Sequence, residues 1–331
     1  MNFCREICFK LELLQFAHNF PPSYYEWEGG IFLILKTFEP TEYQAYLLDV
    51  EDRIVLDDLD TMNLKRLHQG YDGEFAFFEM IKDYEGCIIL WDISLETPGR
   101  AQFDFIVITD DRIYHFDVKN FSGKYTYRDG NFISSKQYVS SDVISRLNRG
   151  HQVMHQFLAQ VNVNTFFYSR VVFINETFQL KGFDGSDLVL FAEDLYKVKD
   201  YLSSRKLISQ EMIDLAHDIV YHHKPKNYFE RIHYYSIEEM RKGVRCPKCR
   251  RIGMKHRKFS NKMECSCGYK ESNVDVVHRT YDMLINFGEQ RVTATMIVEW
   301  TGLEVRCVQK IMLKYYKRVG KARATHYLKK K

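Results

Sequence analysis

Apolar residues recur at helical spacing over 9–20, Pro21 and Pro22 break the run, and short strand-like pieces such as 30–38 follow. From Asn63 the pattern sharpens. The run Gly73-Glu-Phe-Ala-Phe-Phe-Glu-Met-Ile81 opens on a glycine and keeps apolar residues at helical spacing, which predicts an amphipathic helix with Glu74 in its first turn. Residues 87–92 read as a short strand. Two apolar runs, 102–109 and 112–120, flank the turn-prone pair Asp110-Asp111 and predict a β-hairpin. A second hairpin is expected over 124–132 around Asp129-Gly130, then a polar helix carrying Leu147, Val153, Phe157 and Val161. The wholly apolar runs 168–175 and 188–192 have the character of buried strands, and helices are expected at about 193–204 and 208–222. Strands, a helix, a buried strand and further helices indicate an α/β layer structure.

Further along, 274–287 reads as a helix with Val277, Tyr281 and Leu284 on one face and Gly288 ending it. Thr293 or Thr295 can cap a short helix to Trp300, Gly302 makes a tight turn, and 304–316 forms a third helix. Its inward stripe is expected to be Val305, Val308, Met312 and Tyr315, leaving Arg306, Gln309, Lys310 and Lys314 outside. Helix, short helix, glycine turn and basic helix resemble a helix-turn-helix, and 319–328 fits a wing. A generic three-helix bundle that binds a protein shares the same periodicity.

The hairpin raises a chemical question. With Asp110 and Asp111 as the turn, Asp104 falls directly opposite Asp117, and Lys119 points to the same face. Opposed carboxylates repel unless something positive lies between them, and a divalent cation is the simplest candidate. Phe103, Phe105, Ile106, Val107, Phe116 and Val118 make the strands apolar on both faces, where unpaired charge is costly. A buried ion bridge from Lys119 to one aspartate is the structural alternative.

Four of the eight cysteines, Cys246, Cys249, Cys265 and Cys267, fall within 22 residues as C-x2-C, 15 intervening residues and C-x-C. Four thiolates at this spacing suit tetrahedral Zn²⁺ in a structural zinc ribbon, although the second knuckle is one residue shorter than usual. Cys8 and Cys307 read as ordinary thiols, and His151 and His155 as a plain helix face. The first ten residues carry Arg5, Glu6 and Lys10, and no long apolar run follows, so neither an export signal nor a membrane span is expected. Reduced thiols and the missing signal lead to an expectation of a cytoplasmic protein.

Composition is that of a folded protein: 45% hydrophobic, 15% aromatic and 27% charged over 331 residues, which excludes disorder and collagen. Charge is informative only when divided by position. From 241 onward there are 23 Lys+Arg against 7 Asp+Glu, a net +16; the preceding 240 residues carry 24 against 37, a net −13. A basic module gains counterion-release free energy on any polyphosphate, so nucleic acid is the expected partner. Arg250, Arg251, Lys255, Arg257 and Lys258 between the knuckles and Arg306, Gln309, Lys310 and Lys314 on the last helix are the candidate contacts.

A Glu on a preceding helix, an Asp, and an Asp-x-Lys across a hairpin resemble the PD-(D/E)xK nuclease superfamily. More closely, Gly70-Tyr-Asp-Gly-Glu74, Gln102-Phe-Asp-Phe-Ile-Val-Ile and Ile113-Tyr-His-Phe-Asp-Val-Lys-Asn-Phe-Ser-Gly123 resemble the nuclease-related domain, NERD, over about 70–175. The resemblance implies a restriction-endonuclease-like mixed sheet flanked by helices over 61–235. A zinc ribbon would follow over 241–272 and a winged-helix-like domain over 273–331, with an extension of unassigned role at 1–60. That extension could cover the site, add strands or bind a protein partner.

It further implies that Glu74, Asp104, Asp117 and Lys119 form the catalytic site. Mg²⁺ or Mn²⁺ would sit on Asp104 and Asp117, with Glu74 reaching in directly or through water, and Lys119 of lowered pKa would orient or deprotonate the attacking water. Asp117 replaces the more frequent Glu, and either Arg146 or Gln152 stands in for a Gln of the family's next helix. The expected function is a metal-dependent nuclease, with DNA favoured over RNA because a helix-turn-helix reads a major groove that A-form RNA closes. The alternatives are a non-enzymatic DNA-binding or regulatory protein built on an inactive nuclease fold, and a protein-interaction adaptor.

Overall fold

The structure, a computed structural model, describes residues 23–27, 30–141, 143–203, 207–225 and 232–330. The helix expected over 9–20 lies outside them. By internal contacts the chain divides into two compact units, one holding 20–39 and 65–227, the other 1–19, 40–64 and 228–331.

The first unit opens with β1 (Ser23–Trp27) and β2 (Gly30–Lys36). Helix α1 (Glu42–Val50) belongs to the other unit, and α2 (Asp58–Ile81) supplies 65–81 to this one. There follow β3 (Ile88–Glu96), β4 (Arg100–Ile108), β5 (Arg112–Lys119), β6 (Lys124–Arg128), β7 (Asn131–Ser134), β8 (Val139–Ser141), α3 (Val143–Gln160), β9 (Phe166–Phe173), β10 (Gln179–Lys181), β11 (Val189–Leu190), α4 (Tyr196–Leu202) and α5 (Gln210–Tyr221). A seven-stranded mixed sheet has the order β1-β2-β3-β4-β5-β9-β11, and a smaller sheet the order β10-β6-β7-β8. Strands β1 and β2 add to the large sheet at the edge of β3. The architecture is mixed α/β, consistent with a nuclease-like fold.

The sheet is apolar on both faces because helices cover both. Leu90, Ile106, Ile113 and Phe103 pack with Val153, Met154 and Phe157 of α3 and with Met212, Leu215 and Ile219 of α5. On the other face Phe77 of α2 meets Phe105 and Phe116 at 5.1 Å, and Phe78 stacks on Trp91. Helix α2 begins at Asp58 and not at Gly73, so Glu74 lies in its C-terminal half and not in its first turn. The start signal is Asp57, whose Oδ1 accepts from the Asp60 N–H at 2.8 Å. Asp129 and Gly130 both take positive φ, 50° and 78°, and turn β6 into β7 as expected.

The second unit carries α1, β12 (Lys255–His256), β13 (Lys262–Glu264), β14 (Lys270–Ser272), α6 (Asn273–Asn286), α7 (Ala294–Thr301), α8 (Val305–Tyr315), β15 (Tyr316–Val319) and β16 (His326–Lys329). Residues 40–64 are tied to it by buried polar contacts. Arg53 donates to the Arg241 and Gly243 carbonyls at 2.9 and 3.0 Å and lies over the Trp300 ring, and Asn286 donates to Asp49 at 2.8 Å. Thr293 caps α7, and Gly302 at φ 68° ends it. The core is built on Val277, Tyr281 and Leu284 of α6, with Ile297, Trp300, Val308 and Met312. On α8 the buried stripe is Val308, Ile311 and Met312; Val305 is 52% and Tyr315 37% exposed, correcting the expected stripe. Val305 stands in the first turn of the helix, directly after its N-cap Glu304. β15 and β16 pair from Tyr316–Lys329 to Val319–His326, a hairpin directly after α8. Among the described residues no helix is long and apolar enough to cross a membrane.

Candidate functional site

Thr109 and Arg112 close the β4–β5 turn around Asp110-Asp111, and the register runs Ile108–Ile113, Val107–Tyr114, Ile106–His115 and Phe105–Phe116. The ladder stops one step short of Asp104 and Asp117, whose proximity shows in their shared contact with Lys119. The Val118 N–H donates to Asp104 Oδ2 at 2.8 Å. The positive group near both carboxylates is Lys119, whose Nζ lies 2.7 Å from Asp117 and 3.6 Å from Asp104. Side-chain exposure is 15–16% for all three, so this is a nearly dry ion triad open at one side. Glu74 joins from α2, and its Oε2 accepts from the Trp91 indole N–H at 2.7 Å.

The charges perturb one another. Burial pushes the Asp104 carboxyl up to about 6; Lys119 pulls it down, and Asp117 pushes it further up. Glu74 is raised well above the usual carboxylate range, first by burial and then by Asp104. For Lys119 burial favours the neutral form, but Asp117 and Asp104 together outweigh it and hold the ammonium above its ordinary value. Between the two aspartates alone the Lys119 charge is favoured; the lowering expected of Lys119 concerned a site whose carboxylates hold a metal. The Arg146 charge also acts on Lys119, pulling its pKa down.

Asp92 and Lys36 also belong to this neighbourhood, and the sequence reading passed over both. Asp92 falls between the pairs Trp91–Phe105 and Ile93–Phe103, as Asp104 does on β4. Asp92 has φ 60°, and Leu90 and Ile93 on either side share the α3–α5 face, so strand alternation breaks there. Gln102 donates to Asp92 at 2.8 Å, and the Lys36 ammonium lies 3.8 Å away while donating to the Trp91 carbonyl at 3.2 Å. Asp92 adds to the upward push on both Glu74 and Asp104. An Asp closing the apolar run 87–92 was the available signal.

The cysteine set converges. Cys246 and Cys267 sulphurs are 3.6 Å apart, Cys249 and Cys265 3.5 Å, and all four lie within 4.8 Å of one another. Tetrahedral Zn–S bonds of about 2.3 Å would put sulphurs about 3.8 Å apart, so four thiolates in this packing are compatible with structural zinc. Among the described residues this is the one such group of ligand atoms; the carboxylates of Glu74, Asp104 and Asp117 are spread more widely. Arg251, Lys255, Arg257 and Lys258 are exposed around the cysteines, as are Arg306, Gln309, Lys310 and Lys314 on α8. Arg250 is instead half-buried in an ion pair with Glu51, and Arg257, though exposed, pairs with Glu264 at 2.8 Å.

Residues 69–174 match the family model of the nuclease-related domain. No curated protein and no solved structure matches the chain.

Proposed function

We propose that the chain is a metal-dependent nuclease that hydrolyses phosphodiester bonds, with DNA its preferred substrate and its basic C-terminal unit the part that grips the nucleic acid. The observation that carries this reading is the row Asp104–Asp117–Lys119, faced by Glu74, inside a segment that matches a nuclease-related domain. The donor set fits a hard divalent cation, because Glu74, Asp104 and Asp117 offer only carboxylate oxygens. Mg²⁺ or Mn²⁺ on Asp104 and Asp117, with Glu74 reaching in, would supply Lewis-acid charge to the phosphoryl group.

The chain's own residues do the rest. Lys119, beside both aspartates, would donate to a phosphoryl oxygen where negative charge develops, or orient or deprotonate the attacking water. Trp91 fixes one Glu74 oxygen through its indole N–H. Arg146 would add a further positive charge felt at Lys119.

In the second unit, the helices α6, α7 and α8 with the β15–β16 hairpin follow the element order of a winged helix, and α8 would present Arg306, Gln309, Lys310 and Lys314 to duplex DNA. A zinc-braced finger would place Arg251, Lys255, Arg257 and Lys258 along the phosphates. The test is incubation of the purified protein with labelled single-stranded DNA, duplex DNA and RNA, in Mg²⁺, in Mn²⁺ and in EDTA. Cleavage of DNA in the presence of metal and its loss in EDTA is the expected result. Intact substrates under every condition would overturn the reading.

A further inference from the structure

The middle of α2 and the segment just after β5 meet beside the candidate site. Gln69 precedes Glu74 by little more than one turn of α2, and Asn120 directly follows Lys119. The Gln69 side chain donates to the Asn120 carbonyl at 2.8 Å, and the Asn120 side chain donates back to the Gln69 carbonyl at 3.0 Å. Asn175, just past β9, donates to Asn120 Oδ1 at 3.0 Å and is itself fixed by Thr177, whose N–H and hydroxyl reach its Oδ1 at 3.0 and 2.7 Å. Gly73 makes the approach possible: a Cβ on it would lie 2.6 Å from the Asn120 Cβ, a contact real side chains do not make.

We infer that Gln69, Gly73, Asn120 and Asn175 form a positioning clasp that sets the separation of Glu74 from Lys119 and Asp117, and so the geometry of the nuclease site. The inference rests on the nuclease reading for its kinetic consequence and on the contacts alone for its structural one. Solvent reaches Gln69 and partly reaches Asn120, so each bond adds little to stability. Their weight is geometric, because α2 and β5 carry the two halves of the site on separate elements. A displacement of about 1 Å at a reacting centre can cost about a hundredfold in rate.

The clasp is tested by the variants Gln69→Ala, Gly73→Ala, Asn120→Gly and the double Gly73→Ala/Asn120→Gly, each in the full chain. Gln69→Ala should lower kcat about tenfold or more while leaving KM for the nucleic acid and Tm near wild type. Gly73→Ala should lower kcat about a hundredfold on the wild-type background but by less than about threefold on the Asn120→Gly background, where the opposing Cβ is gone.

Trp91 gives a readout that needs no catalysis. Its indole is bonded to Glu74, so its emission, isolated as the difference from a Trp91→Phe protein, should shift in Gln69→Ala and Gly73→Ala. Equal cost of Gly73→Ala on both backgrounds, or unchanged kcat and unchanged Trp91 emission in Gln69→Ala, would overturn the clasp. If the wild type cleaves nothing, the nuclease reading fails, and the Trp91 emission alone decides the clasp: a shift supports it, no shift overturns it.

Discussion

His115 lies two positions before Asp117, is 2% exposed, and has no hydrogen-bond partner for either ring nitrogen among the described residues. It packs edge-on to Phe103 at 4.9 Å and under α3, close to Gly150. Burial drives its pKa down to about 4, so between pH 6.5 and 4 the unfolded chain binds a proton that the folded chain refuses. The His115 contribution to stability should therefore be full above pH 6.5 and be lost as the pH drops toward 4. His115→Leu, measured by urea unfolding in EDTA across that range, should flatten the acid side and add about 1–3 kcal/mol by removing an unsatisfied polar ring. Asp104, Asp117 and Lys119 stand out in the chain because charge inside apolar strands is conspicuous, whereas Glu74, on a helix, came in only with the family resemblance. Asp92, Trp91 and Asn120 do not stand out, since their roles depend on a positive φ, a ring stack and a loop contact that only the fold creates.

At the scale of elements, the register of β4 and β5 was legible because a two-residue turn and continuous apolar runs leave one pairing. The start of α2 was not, because its first half is polar and its cap, Asp57, is separated from the apolar run by more than a dozen residues. The inward stripe of α8 was misplaced at both ends: Val305 and Tyr315 are exposed, and Ile311 is buried beside Val308 and Met312. Its outward face, however, carries Arg306, Gln309, Lys310 and Lys314 exposed as read. If α8 lies on duplex DNA, Arg306→Ala or Lys310→Ala should weaken binding and reduce the slope of log K against log salt by about 1 each, measured by fluorescence anisotropy between low and moderate salt. An unchanged slope would remove α8 from the interface.

For the whole molecule, an acidic first part and a basic C-terminal part coincide approximately with two units that have separate cores. The charge split was visible in the sequence; the return of residues 40–64 to the C-terminal unit was not, because it depends on Arg53, Asp49 and Tyr46 finding partners far along the chain. Elemental analysis should find about one zinc per chain, lost in Cys246→Ser. A strong chelator should lower the unfolding temperature of the C-terminal unit and leave that of the sheet unit in place, seen as separation of two calorimetric transitions. The central claim, that Asp117 with Asp104 and Lys119 carries phosphodiester hydrolysis, is tested most directly by Asp117→Ala. Its cleavage rate and its affinity for the same labelled duplex DNA should be measured beside the wild type in Mg²⁺. A loss of about a hundredfold or more in cleavage with binding unchanged is the predicted result; cleavage at the wild-type rate by Asp117→Ala would contradict it.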